Sequence, residues 1–196
     1  PVVAVAILFD KDYLDYLRSL EYKPKKKCYY ITDSKQLPPD VREYFCDRIL
    51  TLYKSIGYGI VTIDELNKIQ NIYQGGMIAR SRALIDLLRW TEYIPDIVLV
   101  DGPKEFEVSL RQSTNLNVKA IVEGDKKYVT IAAASIVAKV FRDNIMKGLA
   151  EKFPYYDWEN NVGYRSKKHY QGIKKYGLSE HHRVWMIKTD QNLELF

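Results

Sequence analysis

Two aspartates stand where an α/β protein could use them. Asp101 closes the apolar run D-I-V-L-V-D at 96–101 and is followed by Gly102-Pro103. Asp125 lies in E-G-D-K-K at 123–127, after the apolar stretch K-A-I-V-E and before a long run of small apolar residues. Acids at the carboxyl ends of buried strands lie where open α/β sheets bind ligands. Two carboxylates brought to one sheet edge repel unless cations bridge them, and hard divalent cations with oxygen ligands meet that need. Taken singly, both residues stay ambiguous. Asp101 reads equally as a turn or cap acid, and Asp125 reads first as an N-terminal capping acid. Asp143, in F-R-D at 141–143, has Lys139 one helical turn before it, so a local ion pair is its better reading.

Other groups are weaker. His181-His182-Arg183 could face metal or phosphate, but adjacent histidines rarely point at one ion, which favours a structural or phosphate-facing role. Lys25-Lys26-Lys27 reads as a solvated surface run. Of sixteen tyrosines, one has a basic flank: Tyr164, in G-Y-R-S-K-K-H at 163–169. There Gly163 lets backbone approach a ligand, the cations suit phosphates, and the ring can stack on a sugar or base.

The rest of the chain must position these residues. Its 196 residues are 46% hydrophobic and 28% charged, which excludes a disordered or collagen-like chain. A domain of this size buries roughly 70% of its unfolded surface and needs no disulfide or structural zinc. Two cysteines, Cys28 and Cys46, fit a reduced, cytoplasmic protein. A net charge of +5 and a pI of about 9.0 tilt toward a polyanionic partner. The apolar run Pro1–Phe9 is far short of the roughly 20 residues of a membrane span, and no basic flank precedes it as in a signal peptide.

Residues 1–9 read as a strand buried on both faces, and a short strand is expected around 28–31. Pro38-Pro39 opens a helix to about Lys54. Ile56–Ile63 reads as a strand whose Gly57 and Gly59 suggest close packing. Helical spacing runs from Asp64 to Trp90, with Gly75-Gly76 suggesting a kink or a close approach. Strands follow at 96–101 and 119–123, then a long helix at 130–153 whose first half is apolar all round, and a helix near 166–176. Strands alternating with helices predict a three-layer α/β domain.

Nine blocks in order resemble one family, type 2 ribonuclease H (ribonuclease HII). They are PVVAVAIL at the start, DSKQL at 33–37, IDELN at 63–67, VLVDG at 98–102, EGD at 123–125, TIAAASIVAKVFRD at 130–143, GY at 163–164, KKHYQGIKKYG at 167–177 and HHR at 181–183. The resemblance implies a ribonuclease H-like fold over 1–196, a mixed five-stranded sheet flanked by helices, with a helical tail segment from about 166. It implies an endonuclease that cuts the RNA strand of RNA–DNA hybrids and nicks duplex DNA 5′ to a lone ribonucleotide, as in ribonucleotide excision repair. Four carboxylates in the family hold two Mg²⁺ or Mn²⁺ ions, which activate water and stabilise the leaving 3′ oxygen. Asp101 falls on the third acid and Asp125 on the fourth, which ranks Asp125 above Asp143. Tyr164 falls on the tyrosine that reads the RNA-to-DNA junction, and Ser34 and Lys35 fall on the D-S-K block near the nucleic-acid backbone. Lys168 and Arg183 join Asp143 as secondary candidates. A monomer is expected.

The sequence departs from the family in two places. The first two acids belong to a D-E-A-G-R-G motif just before the P-V-V-A block, and this sequence begins at that proline. Asp10 and Asp12 lie at the far end of the next strand and do not replace them. The expectation is therefore a chain cut at its start, lacking the first, central strand of the sheet, folding poorly and cleaving little by itself. The competing expectation is a noncatalytic nucleic-acid-binding relative that keeps Tyr164 and a basic groove. The second departure is Asn160-Asn161-Val162, where the family commonly has basic residues.

Overall fold

The computed structural model describes residues 1–24, 27–104 and 116–188. Lys25 and Lys26 of the basic run, and the tail from residue 189, lie outside the described residues. In chain order the strands are β1 (Val2–Leu8), β2 (Glu21–Tyr22), β3 (Tyr29–Tyr30), β4 (Ser55–Val61), β5 (Val98–Asp101) and β6 (Val118–Ile121). The helices are α1 (Leu14–Ser19), α2 (Pro39–Ile49), α3 (Ile63–Ile69), α4 (Ile72–Arg89), α5 (Gly124–Lys127), α6 (Val129–Lys152), α7 (Trp158–Asn161), α8 (Lys167–Tyr176) and α9 (Val184–Lys188). No described helix is long and apolar enough to cross a membrane.

β1 and β4 pair antiparallel, from Val2 opposite Val61 to Leu8 opposite Ser55. Their side chains alternate between two layers, as strand geometry requires. Val5, Ile7, Ile56 and Tyr58 pack against Leu17 of α1, Phe45 and Ile49 of α2, and Ile136 of α6. Val2, Ala4 and Val61 turn the other way, onto Leu66 of α3 and Ala79 of α4. On that face Gly57 and Gly59 let α4 approach: a β-carbon at either position would collide with the carbonyl oxygen of Ala83 or Ala79. The close packing expected of these two glycines is what the structure has.

β5 and β6 pair parallel, with Asp101 opposite Ile121. Among the described residues, β1 and β5 share no hydrogen bonds, and the strands stand as three pairs, β1–β4, β2–β3 and β5–β6, where a five-stranded mixed sheet was expected. A cleft of about 840 Å³ is lined by both strands, with Ala83, Leu84 and Leu87 of α4 and Ile131, Ala134 and Ala138 of α6 completing its walls. It leaves β1 only half-buried along its whole length, where a strand buried on both faces was expected.

Most element boundaries shift by one or two residues from the sequence reading, and three segments differ by more. The helix expected over 64–90 is two helices, because Gln70 adopts a left-handed conformation (φ 53°) and the Asn71 side chain caps the next helix by accepting from the backbone N–H of Gln74. Gly75 and Gly76 sit inside the unbroken α4; a β-carbon on Gly75 would meet Leu66, while Gly76 faces open space. The helix from Pro39 stops at Ile49, five residues short of Lys54. The polar stretch at 11–27 contains α1, whose Leu17 and the following Leu20 enter the main core.

The C-terminal half of α6 carries a separate cluster. Met146 and Ala150 pack with Tyr156, Trp158, Tyr170 and Ile173, so α7 and α8 are anchored to the long helix and not to the strands.

Candidate active site and nucleic-acid face

The acid end of the site is built by two short connections. Asp101 is the last residue of β5, and Gly102 (φ +132°) turns the chain away immediately after it. Beyond β6, Glu123 is held at φ 54°, which swings the chain into α5 and presents Asp125. Gly124 joins the two turns. Its backbone N–H donates to Asp101 Oδ1 at 2.9 Å. A β-carbon on Gly124 would lie 2.6 Å from Ile131 Cδ1, which would have to swing aside, and 3.4 Å from that same carboxylate oxygen, so glycine keeps the approach unstrained.

The electrostatics show that the two acids share one neighbourhood. Burial raises the proton affinity of Asp125, and the negative charges of Asp101 and Asp33 raise it further, while Lys35 and Lys126 pull it back. Asp33, read from the sequence only as part of the D-S-K block, belongs to this group. Its Oδ1 accepts from the backbone N–H of Lys35 at 3.0 Å, which shapes the 33–36 turn beside Asp125. A carboxylate whose proton affinity is raised by neighbouring acids is a group that a hard divalent cation relieves. Among the described residues, however, no three His, Cys, Asp or Glu side chains gather closely enough to hold one ion.

The 33–37 turn is seated on α6. Ser34 is buried and its hydroxyl lies 3.0 Å from that of Ser135, so it fixes the turn, while Lys35 is exposed on the turn's outer side. Arg42 of α2 donates to the carbonyl of Ser34 at 3.1 Å and reaches Asp143 at 3.6 Å. Asp143 also takes Lys139 at 2.7 Å and Arg142 at 3.2 Å. The ion pair with Lys139 is the one the spacing suggested; Arg42 and Arg142 were not foreseen. Asp143 is therefore a buried anchor for three cations, apart from the Asp101–Asp125 pair.

Those cations support Tyr164. Its exposed ring lies 5.0 Å from Lys139 Nζ and 5.1 Å from the guanidinium carbon of Arg142. Arg183 stands behind them; burial and the charge of Arg142 lower its pKa, and Tyr164 opposes the shift. Arg183 also donates to the carbonyl of Pro1 at 3.3 Å, tying the start of β1 to this face. Lys168 is largely exposed and only loosely paired with Asp157, at 3.9 Å.

The loop carrying Tyr164 is braced by Asn161. That side chain accepts from the backbone N–H of Gly163 at 2.8 Å and donates to the carbonyl of Tyr156 at 2.8 Å. Val162 (φ 43°) and Gly163 (φ +82°) are both left-handed, which projects the ring outward. Asn161 thus shapes the loop. Within the HHR block, His182 is buried, and His181 pairs with Glu180 at 3.5 Å.

The sequence as a whole matches the family described as "Ribonuclease HII" over residues 1–189. A ribonuclease HII from Trichodesmium erythraeum is 40% identical over 185 residues, 94% of this chain and 78% of that protein. Among solved structures, the ribonuclease H2 of Pyrococcus horikoshii superposes with a TM-score of 0.68 at 20% identity, covering 98% of this chain and 95% of that one. A Bst ribonuclease HIII in complex with Mn²⁺ gives a TM-score of 0.67 at 14% identity, over 95% of this chain and 65% of that one. The structural matches show the ribonuclease H-like fold, and the family match together with the 40% identity shows that this chain belongs to the ribonuclease HII family of endoribonucleases.

Proposed function

We propose that this protein hydrolyses the RNA strand of RNA–DNA hybrids and nicks duplex DNA 5′ to embedded ribonucleotides, leaving 3′-OH and 5′-phosphate ends. The observation that supports this reading is the Gly124 bridge, which fastens the turn that carries Asp125 to Asp101 at the end of β5. Asp101 and Asp125 would hold the Mg²⁺ or Mn²⁺ whose charge acidifies a bound water and stabilises the leaving 3′ oxygen. Lys35, on the exposed side of its turn, offers a cation to a neighbouring backbone phosphate, and Ser34 serves by fixing that turn. Tyr164, over Lys139 and Arg142, offers a ring that packs against a deoxyribose and tells it from a ribose carrying a 2′-OH.

We read the protein as a cytoplasmic monomer. Neither described cysteine is in a disulfide, and burial pushes the Cys46 thiol up to about 11, which leaves it unreactive.

The test is incubation with a DNA duplex carrying one ribonucleotide, and with a uniform RNA–DNA hybrid, in Mg²⁺ and then Mn²⁺. Nicks 5′ to the ribonucleotide with 3′-OH ends are expected. A second reading, a nucleic-acid-binding relative without catalysis, draws on the lack of a three-ligand cluster among the described residues. It predicts tight duplex binding with no nick in either metal.

A further inference from the structure

Four segments meet at one buried imidazole. His169 of α8 turns Nδ1 to the carbonyl oxygen of Tyr164 at 3.1 Å. Its Nε2 lies 3.2 Å from the indole N–H of Trp158 and 3.2 Å from Nε2 of His182. His182 in turn places Nδ1 2.9 Å from both the backbone N–H and the hydroxyl of Ser179.

These contacts admit one proton arrangement. A carbonyl only accepts, so His169 Nδ1 carries the hydrogen and donates to Tyr164. Nε2 is then a bare acceptor, which suits the indole, a group that can only donate. His182 must therefore carry its hydrogen on Nε2, leaving its Nδ1 bare for the N–H of Ser179. Both rings are neutral, and a proton added to either would set a donor against a donor. Burial favours the same state: it lowers the pKa of both rings, that of His182 to about 4.

We propose that His169 is a positioning residue for Tyr164. It holds the carbonyl of the very residue whose ring the loop presents, while Asn161 holds the neighbouring amides. Trp158 and His182 fix the imidazole from behind, and the His182 carbonyl is itself bound by Asn67 of α3 at 3.1 Å. The tyrosine is thereby set against the main domain, not merely against its own loop. The inference rests on the reading of Tyr164 as a nucleic-acid contact.

The test compares His169→Asn, which keeps a donor near Nδ1, with His169→Gln, which keeps only the far amide. Both give up the imidazole packing, so a purely structural role would affect them alike. The first readout, amide hydrogen exchange at Gly163 and Tyr164 in the full chain, needs no substrate. Protection is expected to fall about tenfold in His169→Gln and to be largely kept in His169→Asn. The second readout is the ratio of Kd values for a DNA duplex with one ribonucleotide and the same duplex of DNA alone. His169→Gln should erode that ratio in the parent chain and leave it unmoved in a Tyr164→Ala background. Equal exchange in the two variants, or equal erosion with and without Tyr164, overturns the positioning role. A ratio that Tyr164→Ala itself leaves unchanged overturns the reading of Tyr164 as a contact, while the exchange result still decides what His169 holds. If His169→Gln does not fold, His182→Asn, which loses the far donor that meets His169, carries the same comparison against His182→Gln, which keeps it.

Discussion

The backbone N–H of Gly124 lies 2.9 Å from Oδ1 of Asp101, and through that bond the loop carrying Asp125 is fastened to the end of β5. The relationship ties two acids that are 24 positions apart in the sequence into one electrostatic unit. Gly124→Ala is expected to strain it, because the new methyl would displace the end of the Ile131 side chain and touch the carboxylate. Overpacking of this kind costs roughly 1–3 kcal/mol. Thermal melting reads the cost, and a fall in Mn²⁺ affinity shows that the acids have moved apart.

Gly59→Ala tests the contact that sets α4 on the β1–β4 pair. A β-carbon there meets the backbone of Ala79, which cannot swing aside like a side chain. A loss of about 3 kcal/mol or more in urea unfolding is expected. A change below about 1 kcal/mol would show that α4 is free to shift outward.

Asp143→Ala removes the shared partner of Arg42, Lys139 and Arg142, all mostly buried. Uncompensated buried charge typically costs about 3–5 kcal/mol. Duplex affinity should fall as well, since Tyr164 rests on two of those cations. Chemical denaturation and fluorescence anisotropy measure the two effects separately.

Acid should weaken the fold through the histidine pair. In the unfolded chain both rings take up protons near pH 6.5, while burial keeps His182 neutral down to about 4 and lowers His169 also. Between those limits the unfolded state binds more protons, so stability falls as pH drops from about 6.5 to about 4. His182 alone contributes a slope of at most about 1.4 kcal/mol per pH unit in that window. A His182→Gln variant with an unchanged slope from pH 4 to 6.5 would refute this assignment.

Much of the site could be read from residue types alone. Apolar runs with an acid at or just past their end pointed to Asp101, the last residue of β5, and to Asp125, which the structure puts on α5 beyond β6, and the spacing of Lys139 and Asp143 predicted their ion pair. What escaped depends on contacts distant in sequence. Asp33 looks like any turn acid until the fold sets it beside Asp125. Arg42 lies on α2, some hundred positions from the aspartate it reaches, and no local pattern links them. The His169–Trp158–His182 contacts join α8, α7 and the 179–182 turn, and single-sequence periodicity carries no trace of such a meeting. The break between α3 and α4 did leave a sign, since Asn71 is a good capping residue, but the continuous apolar spacing on either side hid it.

The central claim is that Asp101 and Asp125 act together to hold a divalent cation. Its most direct test is a Mn²⁺ titration followed by electron paramagnetic resonance on the full chain, on Asp101→Asn, on Asp125→Asn and on the double variant. Saturable binding that each single change weakens about tenfold or more, with little further loss in the double variant, is the predicted result. Identical binding curves for all four proteins would contradict it.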